Sequence, residues 1–191
     1  GKLMTNNKTN YYPFWKETKE SININTSKLI NFLNEQGFGN YQTMEGRIQN
    51  YTLFFNNKGV LQLHSPNSVK NWIIGYVEKD EKSSEEIKED VRDKIIKLPP
   101  STINNYLQSL NIWSDKEFND SKKITIFRDD NENCYIPFKN GVVHITATEI
   151  KLVPRDSLIE KGNIWESSIL PHKVSVLDKY MVTENNIFKD Y

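Results

Sequence analysis

Three histidines (His64, His144 and His172), one cysteine (Cys134) and the acidic run Asp129-Asp130 with Glu132 are the side chains best suited to chemistry in this sequence. The histidines lie far apart and none stands four residues from another. No HExxH helix can present a zinc pair, and surface or strand positions are the plain expectation for all three. Neither a GxxxxGK[ST] phosphate loop nor a GxGxxG run after a strand occurs. The Asp129, Asp130 and Glu132 carboxylates are hard oxygen ligands that suit magnesium or calcium. They also fall in a hairpin turn, where Asp and Asn are favoured for the bonds they make to their own backbone, and the turn is the expected role. Cys134 opens a strand with no basic partner near it in sequence, which reads as an inert thiol. The expectation is a chain with no catalytic residue, no metal and no cofactor, hence not an enzyme.

Contact with nucleic acid needs a different set of residues: cations that follow phosphates and rings on which bases stack. The N-terminal stretch offers Lys8, Tyr11, Tyr12, Phe14, Trp15, Lys16 and Lys19, and the following region Arg47, Tyr51, Lys58 and Lys70. The candidate contacts are Lys16, Lys19, Arg47, Tyr51, Lys58 and Lys70. Against this stands the reading in which Phe14, Trp15 and Tyr51 are simply core.

The elements that would hold these residues are marked by spacing. Ser27–Gln36 reads as a helix, capped by Thr26 or Ser27 and closed by Gly37, with Leu29, Ile30 and Leu33 at helical intervals. Ile48–Phe55 and Val60–His64 read as a hairpin round Asn56–Gly59, with Leu61 and Leu63 on one face. Ser65-Pro66 starts a helix whose Val69, Trp72, Ile73, Tyr76 and Val77 form one stripe. Ser83 and Glu86 suggest a capping box for a helix from Ser84 to Leu98, with Ile87, Val91, Ile95 and Ile96 as its narrow apolar face. A short helix over Ser101–Leu110 follows Pro99-Pro100. Strands are then expected at Lys123–Arg128, Cys134–Phe138, Val142–Thr146 and Glu149–Val153, turning at Asp129–Asn133 and at Lys139-Asn140-Gly141. The class is α+β: N-terminal helices with a β-hairpin, central helices and a C-terminal antiparallel β meander.

Composition limits the rest. The 191 residues hold 25 Lys and Arg against 25 Asp and Glu, which excludes a globally basic nucleic-acid binder and a polybasic membrane anchor. The balance hides a mild asymmetry, since residues 1–76 carry 8 basic and 4 acidic side chains. Nine Phe, nine Tyr and four Trp are enough to fill a core. The expected division is a small, mildly basic α+β unit over 1–80 and a helical linker plus β meander over 81–191. No apolar run approaches the roughly 18–20 residues that span a bilayer, no signal segment opens the chain, and a lone cysteine forms no internal disulfide; a cytoplasmic protein without membrane contact is expected. The Gly1-Lys2 start reads as a cloning remnant, so the natural start is expected elsewhere.

Ile136-Pro137-Phe138-Lys139-Asn140-Gly141-Val142-Val143-His144-Ile145-Thr146 is similar to the F-x-N-G-V element of phage, plasmid and poxvirus-like primase–helicases, which lies just upstream of a superfamily-3 helicase motor. Glu149–Pro154 looks like its paired strand, and Gly162–Ile169, with Trp165 followed by Glu166, looks like the tryptophan-then-acid stretch that follows in some members. The likeness covers about residues 84–177, with Phe138, Asn140, Gly141 and Trp165 as its markers. It implies a non-catalytic accessory domain of a mobile-element or phage DNA-replication protein. Its partners would be a helicase motor in the same or a separate chain and single- or double-stranded DNA, with self-association left open. No catalytic residue carries over from the family. The alternative is a protein-interaction or assembly domain with no nucleic-acid role, docking through the narrow face of the Ser84–Leu98 helix.

Overall fold

The structure is a computed structural model that describes residues 13–118 and 120–184. The fold is α+β, its strands mostly antiparallel and its C-terminal part a meander. Contacts divide the described residues into two compact units. One is drawn from Gly1–Phe55, Leu63–Trp113 and Asp120–Lys122, the other from Asn56–Gln62, Ser114–Asn119 and Lys123–Tyr191.

In the first unit, β1 (Trp15–Glu17) pairs antiparallel with β2 (Ile22–Ile24). The helix α1 (Thr26–Gln36) begins one residue earlier than its spacing suggests. Asn25, rather than Thr26 or Ser27, is the N-cap, its side chain accepting the Lys28 N–H at 3.0 Å. Gly37 closes the helix in the left-handed conformation (φ 115°), where a side chain would be strained. Then β3 (Phe38–Glu45) and β4 (Ile48–Asn57) form a long antiparallel hairpin turning at Gly46-Arg47. The sequence hides β3, because Phe38, Gly39, Tyr41 and Gln42 are buried on both faces and no polar–apolar alternation survives. After Lys58-Gly59 the chain returns as β5 (Val60–Leu63); Leu61 is fully buried, but Leu63 on the same side of the strand is 62% exposed.

Three helices follow. α2 (Pro66–Glu78) starts with a true capping box, Ser65 and Ser68 each accepting the other's backbone N–H, and buries Val69, Ile73 and Val77 as their spacing requires. α3 (Glu85–Ile96) is capped by Ser84; Ser83 instead donates its hydroxyl to Asp80 at 2.6 Å. α4 (Pro100–Gln108) starts at the second proline of the pair. A short strand, β6 (Ile112–Ser114), then joins β3 in parallel through Asn40–Ile112 and Tyr41–Trp113. One core unites these elements: Phe14, Trp15, Leu29, Phe32, Leu33 and Phe38 pack with Ile73, Val91, Ile95, Ile103 and Leu107. The division expected at 80/81 therefore fails for a physical reason: Val91, Ile95, Ile103 and Leu107 close the same core that α1 and α2 open.

In the second unit, the run Lys123–Arg128 is not a strand. The two-residue β7 (Lys122–Lys123) takes in only its first residue, and the rest makes a single bridge, between Ile126 and Asn163. Its backbone partner is Asn163, which donates to Thr125 O and accepts from Phe127 N, both at 2.8 Å. The meander proper is β8 (Cys134–Phe138), β9 (Gly141–Ile145) and β10 (Ile150–Val153), antiparallel with β9 in the centre. Successive residues of β9 point to opposite faces, and both faces are covered: Val143 packs with Phe138 and Val174, Val142 with Leu158 and Ile164. Further on, β11 (Ile164–Trp165) runs parallel to Val60-Leu61, and β12 (Val174–Leu177) pairs with β13 (Tyr180–Thr183).

Phe32→Ala, which removes a ring in contact with Phe14, Trp72 and Tyr76, should lower unfolding free energy by about 3–5 kcal/mol in urea titration. Leu63→Ser should change it by less than about 0.5 kcal/mol.

Candidate nucleic-acid interface

Six candidate contacts came from the sequence, and the fold places them in different surroundings. Lys16 on β1 and Lys19 in the turn after it are exposed. Their neighbouring rings are not: Phe14 is 0% and Trp15 1% exposed, so neither can receive a base. Lys8, Tyr11 and Tyr12 lie outside the described residues. Arg47 sits at the exposed tip of the β3–β4 hairpin. Tyr51, also exposed, donates its hydroxyl to Gln49 Oε1 at 3.1 Å. Lys70 is committed elsewhere: its ammonium donates to Leu98 O at 2.6 Å, satisfying a carbonyl just past the end of α3. Lys58 belongs to the second unit, and the whole length of β4 separates it in the chain from Arg47.

Lys58 instead finds new neighbours. It occupies the β4–β5 turn in the left-handed region (φ 50°) and lines a cleft of about 600 Å³ together with Lys139 and Arg155. Hydrogen bonds brace the backbone beside Lys58 and at Lys139, and hold the Arg155 guanidinium itself. Asn56 Oδ1 accepts the Gly59 N–H beside Lys58 at 3.0 Å, and Lys139 N–H donates to His172 O at 3.0 Å. Arg155 opens the 3-10 helix Arg155–Lys161 and donates from Nη2 to Phe138 O (3.0 Å) and Lys139 O (3.3 Å). Asp156 and Glu166 stand in the same cleft and moderate its positive field.

A second cleft, of about 370 Å³, has an aromatic lining of Phe127, Tyr135 and Trp165, all half-buried, with Arg128 and Asp129 among its polar groups. Phe127 meets Tyr135 edge-on at 4.5 Å. Tyr135 lies flat on His144, centroids 4.5 Å apart and planes 4° from parallel, and His144 Nε2 stands 2.7 Å from Asn133 Oδ1. Arg128 pairs with Asp115 at 2.6 Å. The two clefts share walls: Trp165 and Ser168 line the aromatic one, Glu166 and Ile169 the cationic one, and Pro137 and Lys139 divide in the same way.

The F-x-N-G-V element accounts for part of this arrangement. Phe138 is buried at the centre of a small core. Asn140 makes a two-bond amide pair with the backbone of Val174, Nδ2 donating to O and Oδ1 accepting from N–H, both at 2.9 Å. Gly141, at φ 154°, lies so close to β10 that a Cβ would stand 2.8 Å from Val153 O. Those three residues hold the element together, whereas Trp165 faces the aromatic cleft. Lys139, Arg155, Phe127 and Tyr135 were not singled out by sequence reasoning. Lys139 was visible only as a turn residue, and nothing local brings Arg155 to Lys58.

The acidic run is committed to its own loop. Asp130 Oδ1 accepts from the backbone N–H of Glu132 (2.8 Å) and Asn133 (2.9 Å) and from Asn133 Nδ2, and Asp129 Oδ1 accepts the Tyr135 N–H at 2.8 Å. The Asn133 side-chain bond, with help from the backbone donors, holds the Asp130 carboxyl below the ordinary aspartate range. Desolvation, followed by the Asp129 charge, pushes the Cys134 thiol up, so it is protonated at neutral pH. Among the described residues no group of three or more His, Cys, Asp or Glu side chains is placed to hold a metal ion.

Compared with known proteins, the chain matches no family model, no curated protein and no solved structure.

Because folding depresses the Asp130 pKa, its bonds should stabilise the loop at neutral pH and fade as pH falls through the folded-state value. An NMR carboxyl titration should place Asp130 below the ordinary range and should move it up in Asn133→Ala. Gly141→Ala should cost more than about 1 kcal/mol in thermal or urea unfolding, since the backbone carbonyl it meets has no room to yield.

Proposed function

We propose that this chain is a non-catalytic accessory domain of a mobile-element or phage replication protein of the primase–helicase kind, touching nucleic acid weakly and docking on a helicase motor. One observation carries the reading. The residues behind the resemblance, Phe138, Asn140 and Gly141, hold a single well-braced substructure whose own Lys139 stands beside Lys58 and Arg155. A braced turn that presents a cation to a cleft suits a domain that guides a polyanion. The acids of the Asp129–Glu132 run bind their own backbone, which fits a supporting role. The motor would be supplied by the same polypeptide or by a second one, and the site of action would be the cytoplasm.

Fluorescence anisotropy with labelled single- and double-stranded DNA tests the nucleic-acid half. Binding should be measurable at about 50 mM salt and clearly weaker at about 200 mM. No binding at the lower salt, or binding indifferent to salt, would count decisively against phosphate contact.

A second reading, assembly without nucleic acid, is favoured by α3. Ile96 is 55% exposed on a helix whose surface is laced with the ion pairs Lys88–Glu85 and Lys97–Asp93. Val91 is wholly buried, so charging it would unfold the unit rather than test docking; Ile96→Lys is the informative change. On this reading light scattering should report an oligomer that Ile96→Lys dissociates. A monomeric parent chain would remove self-assembly through α3.

A further inference from the structure

The two clefts of the second unit adjoin each other, and their chemistries differ in the way a single strand of nucleic acid differs between its backbone and its bases. We propose that a single strand crosses the Glu166–Leu170 segment with consecutive phosphates in the cleft of Lys58, Lys139 and Arg155. One unpaired base then enters the cleft of Phe127, Tyr135 and Trp165. This deepens the nucleic-acid reading given above and rests on it.

Convergence is the first argument. Lys58, Lys139 and Arg155 come from a β-turn, a second β-turn and the start of a 3-10 helix, nearly a hundred residues apart at the extremes, yet line one cleft. Arg155 is fixed in place rather than waving on the surface, tied to the β8–β9 turn by two carbonyls, while Lys58 projects from an exposed left-handed turn position. Preformed cations bind a polyanion with less ordering cost than mobile ones.

Adjacency is the second. Trp165 and Glu166 are neighbours in the chain but line different clefts, as do Ser168 and Ile169, so the segment forms a ridge common to both. A nucleotide carries its base and its phosphate on opposite sides of one sugar, and a ridge with rings on one side and cations on the other matches that division. The aromatic cleft selects for an unpaired strand, because in a duplex the base faces are already stacked. Its volume lies within the range of small-ligand sites, and Phe127, Trp165 and the face of Tyr135 that His144 does not cover stand in its wall; stacking on such rings carries little sequence preference.

Asp156 and Glu166 limit the strength of binding. With three cations facing three phosphates, log affinity should fall against log salt with a slope of about −2 for a single strand, so a fourfold rise in salt weakens binding roughly fifteen-fold.

Anisotropy on the full chain tests the path, using labelled oligothymidylate, an abasic oligonucleotide of equal length, and a duplex. The proposal expects the abasic strand and the duplex each to bind at least about five-fold more weakly than oligothymidylate. It expects Lys58→Asn with Lys139→Gln, both exposed positions and the first compatible with a left-handed backbone, to reduce the slope to about −0.7. Circular dichroism checks that this variant is folded. Equal affinity for abasic and ordinary strands, or for duplex and single strand, overturns the base slot. An unchanged slope in the folded double variant puts the phosphates elsewhere and overturns the path. Either result leaves nucleic-acid contact itself standing, whereas no binding by any oligonucleotide removes both.

Discussion

The side-chain amide of Asn140 bonds to both backbone groups of Val174, and much of the second unit's surface depends on that pair. A side chain here does what a neighbouring strand would do. It fastens the turn after β8 to the start of β12 and so fixes the chain between them. Phe138 and Val174 then share a core, Leu170 N–H reaches Pro137 O, and Lys139 N–H reaches His172 O. Four ties within a few residues of one turn explain how a small unit with two modest apolar clusters holds its clefts open and in register. Part-buried hydrogen bonds of this sort contribute on the order of 1 kcal/mol each, and their larger effect is to exclude other arrangements.

Aromatic residues serve two ends in this protein, and burial decides which. In the first unit the buried rings of Phe14, Phe32 and Phe38 fill the interior and meet Trp15, Trp72 and Tyr76 edge-on or tilted at 4.8–6.0 Å, while the half-buried Trp72 and Tyr76 stack on each other at 5.8 Å. In the second, Phe127, Tyr135 and Trp165 keep part of their surface open beside cations and hydrogen-bonding groups. Ring count alone cannot separate these uses. A basic-aromatic stretch such as Phe14–Lys19 looks like a stacking platform until its rings turn inward.

What could be read along the chain was whatever rests on local spacing. The stripe Val69, Ile73 and Val77, the Gly37 stop and the Asn140-Gly141 turn all follow from contacts within a few residues, and each stands where its pattern puts it. Features set by distant partners were not legible. Asn25 takes the cap from Thr26 by a one-residue shift that the apolar pattern does not encode. Strand β3, buried on both faces, shows no alternation. Val91 and Ile95 read as the narrow face of a helix in a linker and are instead part of the first core. The cationic cleft exists only because two turns and the start of a 3-10 helix meet, and no spacing rule connects Lys58 to Arg155.

The boundary between the units falls inside the β4–β5 hairpin, whose closing end, Asn56–Gln62, belongs with residues more than fifty positions further on. β11 finds its parallel partner there, in Val60-Leu61. No single cut therefore releases either unit whole, and a fragment starting at Lys123 would lack the neighbour of Ile164. During synthesis on the ribosome the tip of that hairpin emerges about a hundred residues before β11 and must wait for it, a non-local closure of the sort that slows folding. The closing end of that hairpin thus completes the second unit from a segment made long before the rest of it.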